Sequence, residues 1–319
     1  MAESKYVFFA TDVHGSNKCF KKFINAGKFY KVNTLILGGD LTGKMIIPLI
    51  QQPNGDYHSF FMSTQHVIKP NEVDATEKML TDSGAYAYRT TSNEYKELEL
   101  DEKKRMRLFK DFMIQRLKEW LVLAEERLKG TGISIYITGG NDDPIEIEDV
   151  LASSNYVVAA EGKVLDIGGG YEMLSSGYCN ITPWNCPRDV PDEIVGQKIE
   201  AMIPKVKNMN KCIFNLHAPP YDTPLDKAAR LDENLRPVLV TGGEYEMIPV
   251  GSKAVRNAIE KYQPLLGLHG HIHESRAATK LNKTLCINPG SEYGEGILRG
   301  VVISLNDKKG IENYSFTSG

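Results

Sequence analysis

No apolar run in this 319-residue chain approaches the roughly 18 residues of a bilayer-spanning helix, so no segment reads as a membrane span. Residues 1–5 lead straight into a short apolar run at 6–10, without the longer core of a secretory signal. The five cysteines (Cys19, Cys179, Cys186, Cys212 and Cys286) are odd in number and contain no CxxC pair. That argues against a disulfide framework and for reduced thiols in a cytoplasmic protein. Charge of one sign is also scarce: the formal net charge is −3 and the pI about 6.2. There is no broad electrostatic pull toward nucleic acid or an anionic membrane, and no Lys/Arg stripe with interleaved aromatics; a local basic pocket stays open. Internal repeats, low-complexity tracts and a cysteine or serine motif for covalent catalysis are missing as well.

What is present suits a globular protein with a sizeable core: 41% hydrophobic and 25% charged residues. Short β-branched and aromatic runs alternate with helical patterns. Strands are expected at 6–10, 34–37, 133–138, 164–167, 211–216, 264–268, 284–287 and 301–305, and helices at 17–30, 191–206 and 252–262. Such alternation implies an α/β domain. Residues 45–129 differ. Two β-like runs flank Pro53-Asn54-Gly55-Asp56 as a hairpin, a polar stretch follows, and a long helical segment runs from about 93 to 129. Leu108, Phe112, Leu117, Trp120, Leu121 and Leu128 are its apolar positions. The expectation is one domain over 1–319 with an insertion at 45–129. That insertion reads as a lid, an oligomer contact, or a helix lying on the domain surface.

Polar residues cluster where the expected strands end. Asp12-Val13-His14 follows the first, Asp40 the second and Asn141 the third; His217 and Gly270-His271-Ile272-His273 follow later ones. Ligand sites of open α/β sheets lie beyond the carboxyl ends of strands. Each residue alone has a plainer reading: a loop triplet, a turn residue, a turn cap or a core histidine. Together these seven metal-capable side chains are hard to explain by packing. Two carboxylates, four imidazoles and one amide around two divalent cations leave net positive charge for an anionic phosphate. The mixed His/Asp donors suit Mn²⁺ first, with Fe²⁺ or Zn²⁺ as alternatives, over Mg²⁺ or Ca²⁺.

In these motifs and their order the chain resembles the calcineurin-like metallophosphoesterases, over nearly its whole length apart from the insertion. Thr182-Pro183-Trp184-Asn185-Cys186-Pro187-Arg188 and Asn288-Pro289-Gly290-Ser291 look like the Icc-related prokaryotic phosphoesterases within that family. The resemblance implies a four-layer α/β/β/α sandwich with two mixed sheets. It also implies one cation on Asp12, His14 and His273, a second on Asn141, His217 and His271, and Asp40 bridging both.

The function implied is hydrolysis of a phosphate ester, a phosphodiester in preference to a monoester, in a small phosphorylated substrate. The cations, roughly 3.5–4 Å apart, would share a hydroxide that attacks phosphorus in line. Asp40, Asn141 and Asp142 are the candidate catalytic residues. Asp142 departs from the family pattern, which in many members has a histidine after the asparagine, so it offers no imidazolium to the leaving oxygen; it also reads as a turn cap. His269 reads as a buried, hydrogen-bonded histidine or a support for a ligand, and His58 and His66 as surface residues of the insertion. Arg188 and Arg276 are candidates for substrate contacts, with surface salt bridges the plainer reading. A metal-dependent nuclease, disfavoured by the acidic pI, and a non-catalytic scaffold are the rival functions.

Overall fold

The computed structural model describes residues 5–319. Its centre is a pair of six-stranded mixed sheets. In the first, the order is Gly310–Ser318, Arg299–Asn306, Lys5–Ala10, Thr34–Leu37, Ser134–Ile137, Val158–Ala159. The last four strands run parallel and the first two antiparallel. In the second, the order is Ala277–Leu281, Thr284–Asn288, Leu266–Leu268, Cys212–Leu216, Tyr171–Ser176, Val164–Gly168, with the middle four parallel.

Side-chain alternation assigns the layers. Phe9, Ile36 and Tyr136 point between the sheets, where they meet Met173, Ile213, Leu268 and Ile287. Their neighbours Phe8, Leu35, Leu37, Ile135 and Ile137 point outward, under the helices Asn17–Phe29, Glu102–Leu128 and Ile147–Ala152. The second sheet's outer face, with Phe214 and Cys286, packs under Asp192–Met202 and Lys253–Tyr262. The result is the expected α/β/β/α sandwich. Helix starts follow local chemistry: Ser16 caps Asn17–Phe29 by accepting from Cys19 N, and Ser252 caps Lys253–Tyr262 by accepting from Val255 N.

Between Met45 and Lys129 the chain builds more than a hairpin. Ile46–Gln51, Tyr57–Phe61, Thr64–Ile68 and Tyr86–Thr91 form a separate four-stranded sheet, and the helix Val73–Asp82 packs on it through Val73 and Leu80. The stretch that reads as merely polar therefore holds a helix and a strand. The long helix expected from 93 to 129 is two helices, Ser92–Leu100 and Glu102–Leu128. Asp101, in an extended conformation, ends the first and caps the second through Lys104 N. The second helix joins the outer helical layer, where Trp120 stacks on Phe20 with ring centroids 4.2 Å apart. Strands Tyr171–Ser176, Ala277–Leu281 and Gly310–Ser318 lie outside those expected from the sequence. No helix among the described residues is long and apolar enough to cross a membrane.

Candidate metal centre

The loops that carry the expected ligands leave parallel strands at the same edge of the sandwich. Asp12, His14, Asp40 and His271 have positive φ angles (54°, 38°, 51° and 70°), a conformation costly for residues with a Cβ and concentrated at functional sites. The glycines beside them allow close approach. A Cβ on Gly140 would overlap Asp40 Oδ1, and one on Gly270 would overlap Asp12 Oδ2 and Thr11 Oγ1. Asp143 ties two of the loops together, accepting from Leu41 N at 2.9 Å, Thr42 N at 2.8 Å and Gly140 N at 2.8 Å.

Six of the seven side chains converge in two groups, and the seventh, Asn141, lines a cleft together with Asp40 and His271. In the first, one ligand atom each from Asp12, His14, Asp40 and His273 lies within 4.8 Å of the others. His14 Nε2 is 3.1 Å from His273 Nε2 and 3.5 Å from Asp40 Oδ2, and His273 Nε2 is 3.5 Å from Asp12 Oδ1. In the second, His217 and His271 lie together with Cys179. His217 Nε2 is 3.4 Å from Asp40 Oδ1 and 3.7 Å from Asp12 Oδ1. Asp40 thus turns one oxygen toward each group.

Hydrogen bonds aim the ligands. His217 Nδ1 donates to Gly38 O at 2.9 Å, which turns Nε2 toward the site. Asn141 Nδ2 donates to Asp189 Oδ1 at 3.0 Å, turning Oδ1 the other way. The backbone N–H of His271 donates to both oxygens of Asp12 at 3.1 Å. His217 Nε2 and Asn141 Oδ1 are buried and have no hydrogen-bond partner among the described residues. Unpaired buried polar atoms are costly, and cation ligation would satisfy them. The electrostatics agree: burial lowers His217, but Asp40 and Asp12 outweigh it and push its pKa up to about 10. Burial raises Asp12 and Asp40, yet the facing histidines hold both carboxylates below their ordinary range. Positive charge is favoured at this point, and the donor set fits two divalent cations.

The other expected residues are placed as follows. Asp142 stands at the rim, 2.8 Å from Lys44 Nζ and 3.9 Å from His14 Nδ1. His269 is fully buried and donates from Nδ1 to Leu216 O and Ala218 O at 2.8 and 3.0 Å, the carbonyls flanking His217. Burial lowers its pKa to about 4, so it is a neutral prop for the ligand loop. Arg188 is neither a substrate contact nor a surface salt bridge. It is buried, pairs with Glu148 at 2.7 Å, and donates to Asp143 O and Pro144 O. Arg276 lies over the Phe316 ring at 4.8 Å. His66, in the small sheet, stacks on Phe61. The sequence reading misses Lys44, Cys179, Asp189 and Tyr293, whose ring is 4.6 Å from that of His14. None follows a strand in a recognisable motif, and only the fold brings them here.

A cleft of about 1160 Å³ opens over the centre. Asp40, Lys44, Asn141, Asp142, His271 and His273 line it, together with the apolar side chains of Ile181, Trp184, Tyr221, Ile248 and Phe109.

No family model matches the sequence. An uncharacterised protein of Methanocaldococcus jannaschii, MJ1162, is 31% identical over 152 residues, which are 47% of this chain and 61% of that protein. Among solved structures, one crystal structure superposes with a TM-score of 0.58 at 14% identity over 99% of both chains. TT1561 of Thermus thermophilus does so with a TM-score of 0.55 at 13% identity, again over 99% of both chains. At these identities what is shared is the fold.

Proposed function

We propose that this chain is a metal-dependent phosphoesterase of the calcineurin-like kind that hydrolyses a small phosphodiester, a reading that its α/β/β/α sandwich supports. The observation that carries this reading is Asp40, whose two oxygens face two separate groups of ligand atoms 3.5 Å and 3.4 Å away. Asp12, His14 and His273 would hold one divalent cation and Asn141, His217 and His271 a second, with Asp40 placed between the two groups. When bound, the two cations supply Lewis acidity toward phosphoryl oxygens and acidify water for attack on phosphorus. Mn²⁺ is the proposed occupant of the group around Asp12, whose donors are carboxylates and imidazoles.

The chain's own groups do the rest. Lys44 borders the cleft and offers an ammonium to a phosphate oxygen. It also neutralises Asp142, which would otherwise repel the substrate. His269 and Asp189 fix the orientation of His217 and Asn141. The apolar walls suit a diester with a substantial non-polar or aromatic substituent, since a bare phosphate group would leave most of the cleft empty. The domain organisation we propose is one domain over 1–319, in which the insertion at 45–129 contributes Phe109 and Met113 to the wall of the cleft.

The test is an activity screen with Mn²⁺-supplemented protein over phosphomonoesters, phosphodiesters, cyclic nucleotides and nucleotide anhydrides. Chelator-sensitive turnover with diesters ahead of monoesters is expected. Protein that holds two cations and turns over none of these substrates would instead be a scaffold.

A further inference from the structure

Cys179 sits at the boundary between an apolar layer and the metal centre. On one side it packs with Val195 and Ile199. On the other, its Sγ and a ring nitrogen from each of His217 and His271 lie within 4.8 Å of one another. We propose that Cys179 is a sulfur ligand of the second cation, so that this position takes a thiophilic ion of the Zn²⁺ class in preference to Mn²⁺. The inference rests on the dinuclear reading given above.

Three observations beyond proximity support it. First, two of the three other donors at this position are left without partners: His217 Nε2 and Asn141 Oδ1 are buried and make no hydrogen bond among the described residues. Second, the backbone that carries Cys179 is the backbone that aims Asn141. The two-stranded ribbon pairs Cys179 with Asp189, and Asp189 Oδ1 accepts from Asn141 Nδ2 at 3.0 Å. A Cβ on Gly177 would overlap the carbonyl of Gly139, so the segment leading to Cys179 lies directly on the segment leading to Asn141. Third, the remaining thiols are placed differently. Cys19, Cys212 and Cys286 are buried in the apolar layers, and Cys186 Sγ donates to Asp142 Oδ1 at 2.8 Å.

The chemistry balances simply. As the cation binds, the Cys179 thiol releases its proton to solvent and the thiolate takes the vacated place on the metal. Three negative ligands (Asp12, Asp40 and the thiolate) then face four positive charges. One net positive charge remains to attract phosphate. Sulfur is a soft donor and favours Zn²⁺ over Mn²⁺, whereas the carboxylate-rich first position has no such bias.

The full chain, stripped of metal and reconstituted with Zn²⁺ or Co²⁺, tests this without an assay of activity. X-ray absorption at the zinc edge should show a sulfur scatterer at about 2.3 Å, and the Co²⁺ form should show a near-ultraviolet thiolate-to-cobalt charge-transfer band. Both signals should persist in Cys186→Ser and vanish in Cys179→Ser. The latter should also lose about tenfold or more in Zn²⁺ affinity while Mn²⁺ affinity changes little. If Cys179→Ser does not fold, the Cys186→Ser spectra decide, because Cys179 and Cys186 are the thiols bordering the centre. Two bound cations with only nitrogen and oxygen scatterers would overturn the cysteine ligand and leave the dinuclear centre standing. A sulfur signal abolished by Cys186→Ser would likewise overturn it. Fewer than two cations per chain would overturn both readings.

Discussion

Lys44 Nζ stands 2.8 Å from Asp142 Oδ2, at the mouth of the cleft. The pair resolves the electrostatic difficulty that Asp142 poses beside an anionic substrate. It also creates a kinetic signature. Burial lowers the Lys44 pKa, but Asp142 and Asp40 outweigh it and hold the ammonium well above its ordinary range. Burial and Asp142 push the neighbouring Cys186 thiol up to about 12. Neither group gives up a proton readily near neutral pH, so on the proposed function a poor leaving group would receive charge stabilisation from Lys44 and little proton transfer.

Activity should therefore depend steeply on leaving-group pKa, with activated aryl diesters cleaved far faster than alkyl ones. Lys44→Met should lower kcat/KM by about 10²-fold, and Asp142→Asn in the same chain should restore part of the loss by removing the uncompensated carboxylate. Asp142→His should favour substrates with poor leaving groups. A series of diesters with graded leaving groups, run on all four proteins, checks this; a flat dependence in the wild type would end the argument.

Asp40→Ala should release both cations and abolish turnover, whereas His217→Ala should retain one. Metal content by elemental analysis after reconstitution is the readout. Two cations retained on Asp40→Ala would refute its bridging role.

Gly140→Ala should weaken metal binding by about 10–100-fold, the usual scale for disturbing the support of a ligand, because the added Cβ overlaps Asp40 Oδ1. The expected protein is folded by circular dichroism and metal-poor. Full occupancy at limiting metal would show that the Asp40 loop yields without cost.

Glu161 gives a pH dependence unrelated to the cations. Burial pushes its pKa from the ordinary 4.5 up to about 7, against the opposing Gly177 N–H and Arg188. The folded state thus prefers the protonated acid. Its contribution to stability is present in full below pH 4.5 and is lost as the pH rises through about 7. Glu161→Gln keeps an acceptor for Gly177 N, which Glu161 Oε2 meets at 2.6 Å, and has no charge to bury. Its melting temperature should match the wild type near pH 4.5 and exceed it at pH 8 by several degrees, on the order of 2 kcal/mol. Parallel curves across that range would rule the effect out.

Apart from the four-layer sandwich, which only a family resemblance implied, the sequence by itself determined the α/β class and the seven metal-capable side chains. Both are written in local pattern: period-two alternation makes the strands, and short glycine-rich turns place Asp12, Asp40, Asn141, His217 and His271 at their carboxyl ends. The break at Asp101 was masked by helical periodicity on both sides of it. Only the tertiary structure decided which residues surround those ligands. Lys44 meets Asp142 from a different loop, Cys179 arrives on a ribbon from the other sheet, and Arg188, a substrate candidate by its neighbours in the chain, turns inward to Glu148. Such contacts join residues far apart in sequence, and nothing in the local order of residues encodes which loop will close over which. Packing of the two sheets settles that, and with it the charge and the donors that the metal centre presents.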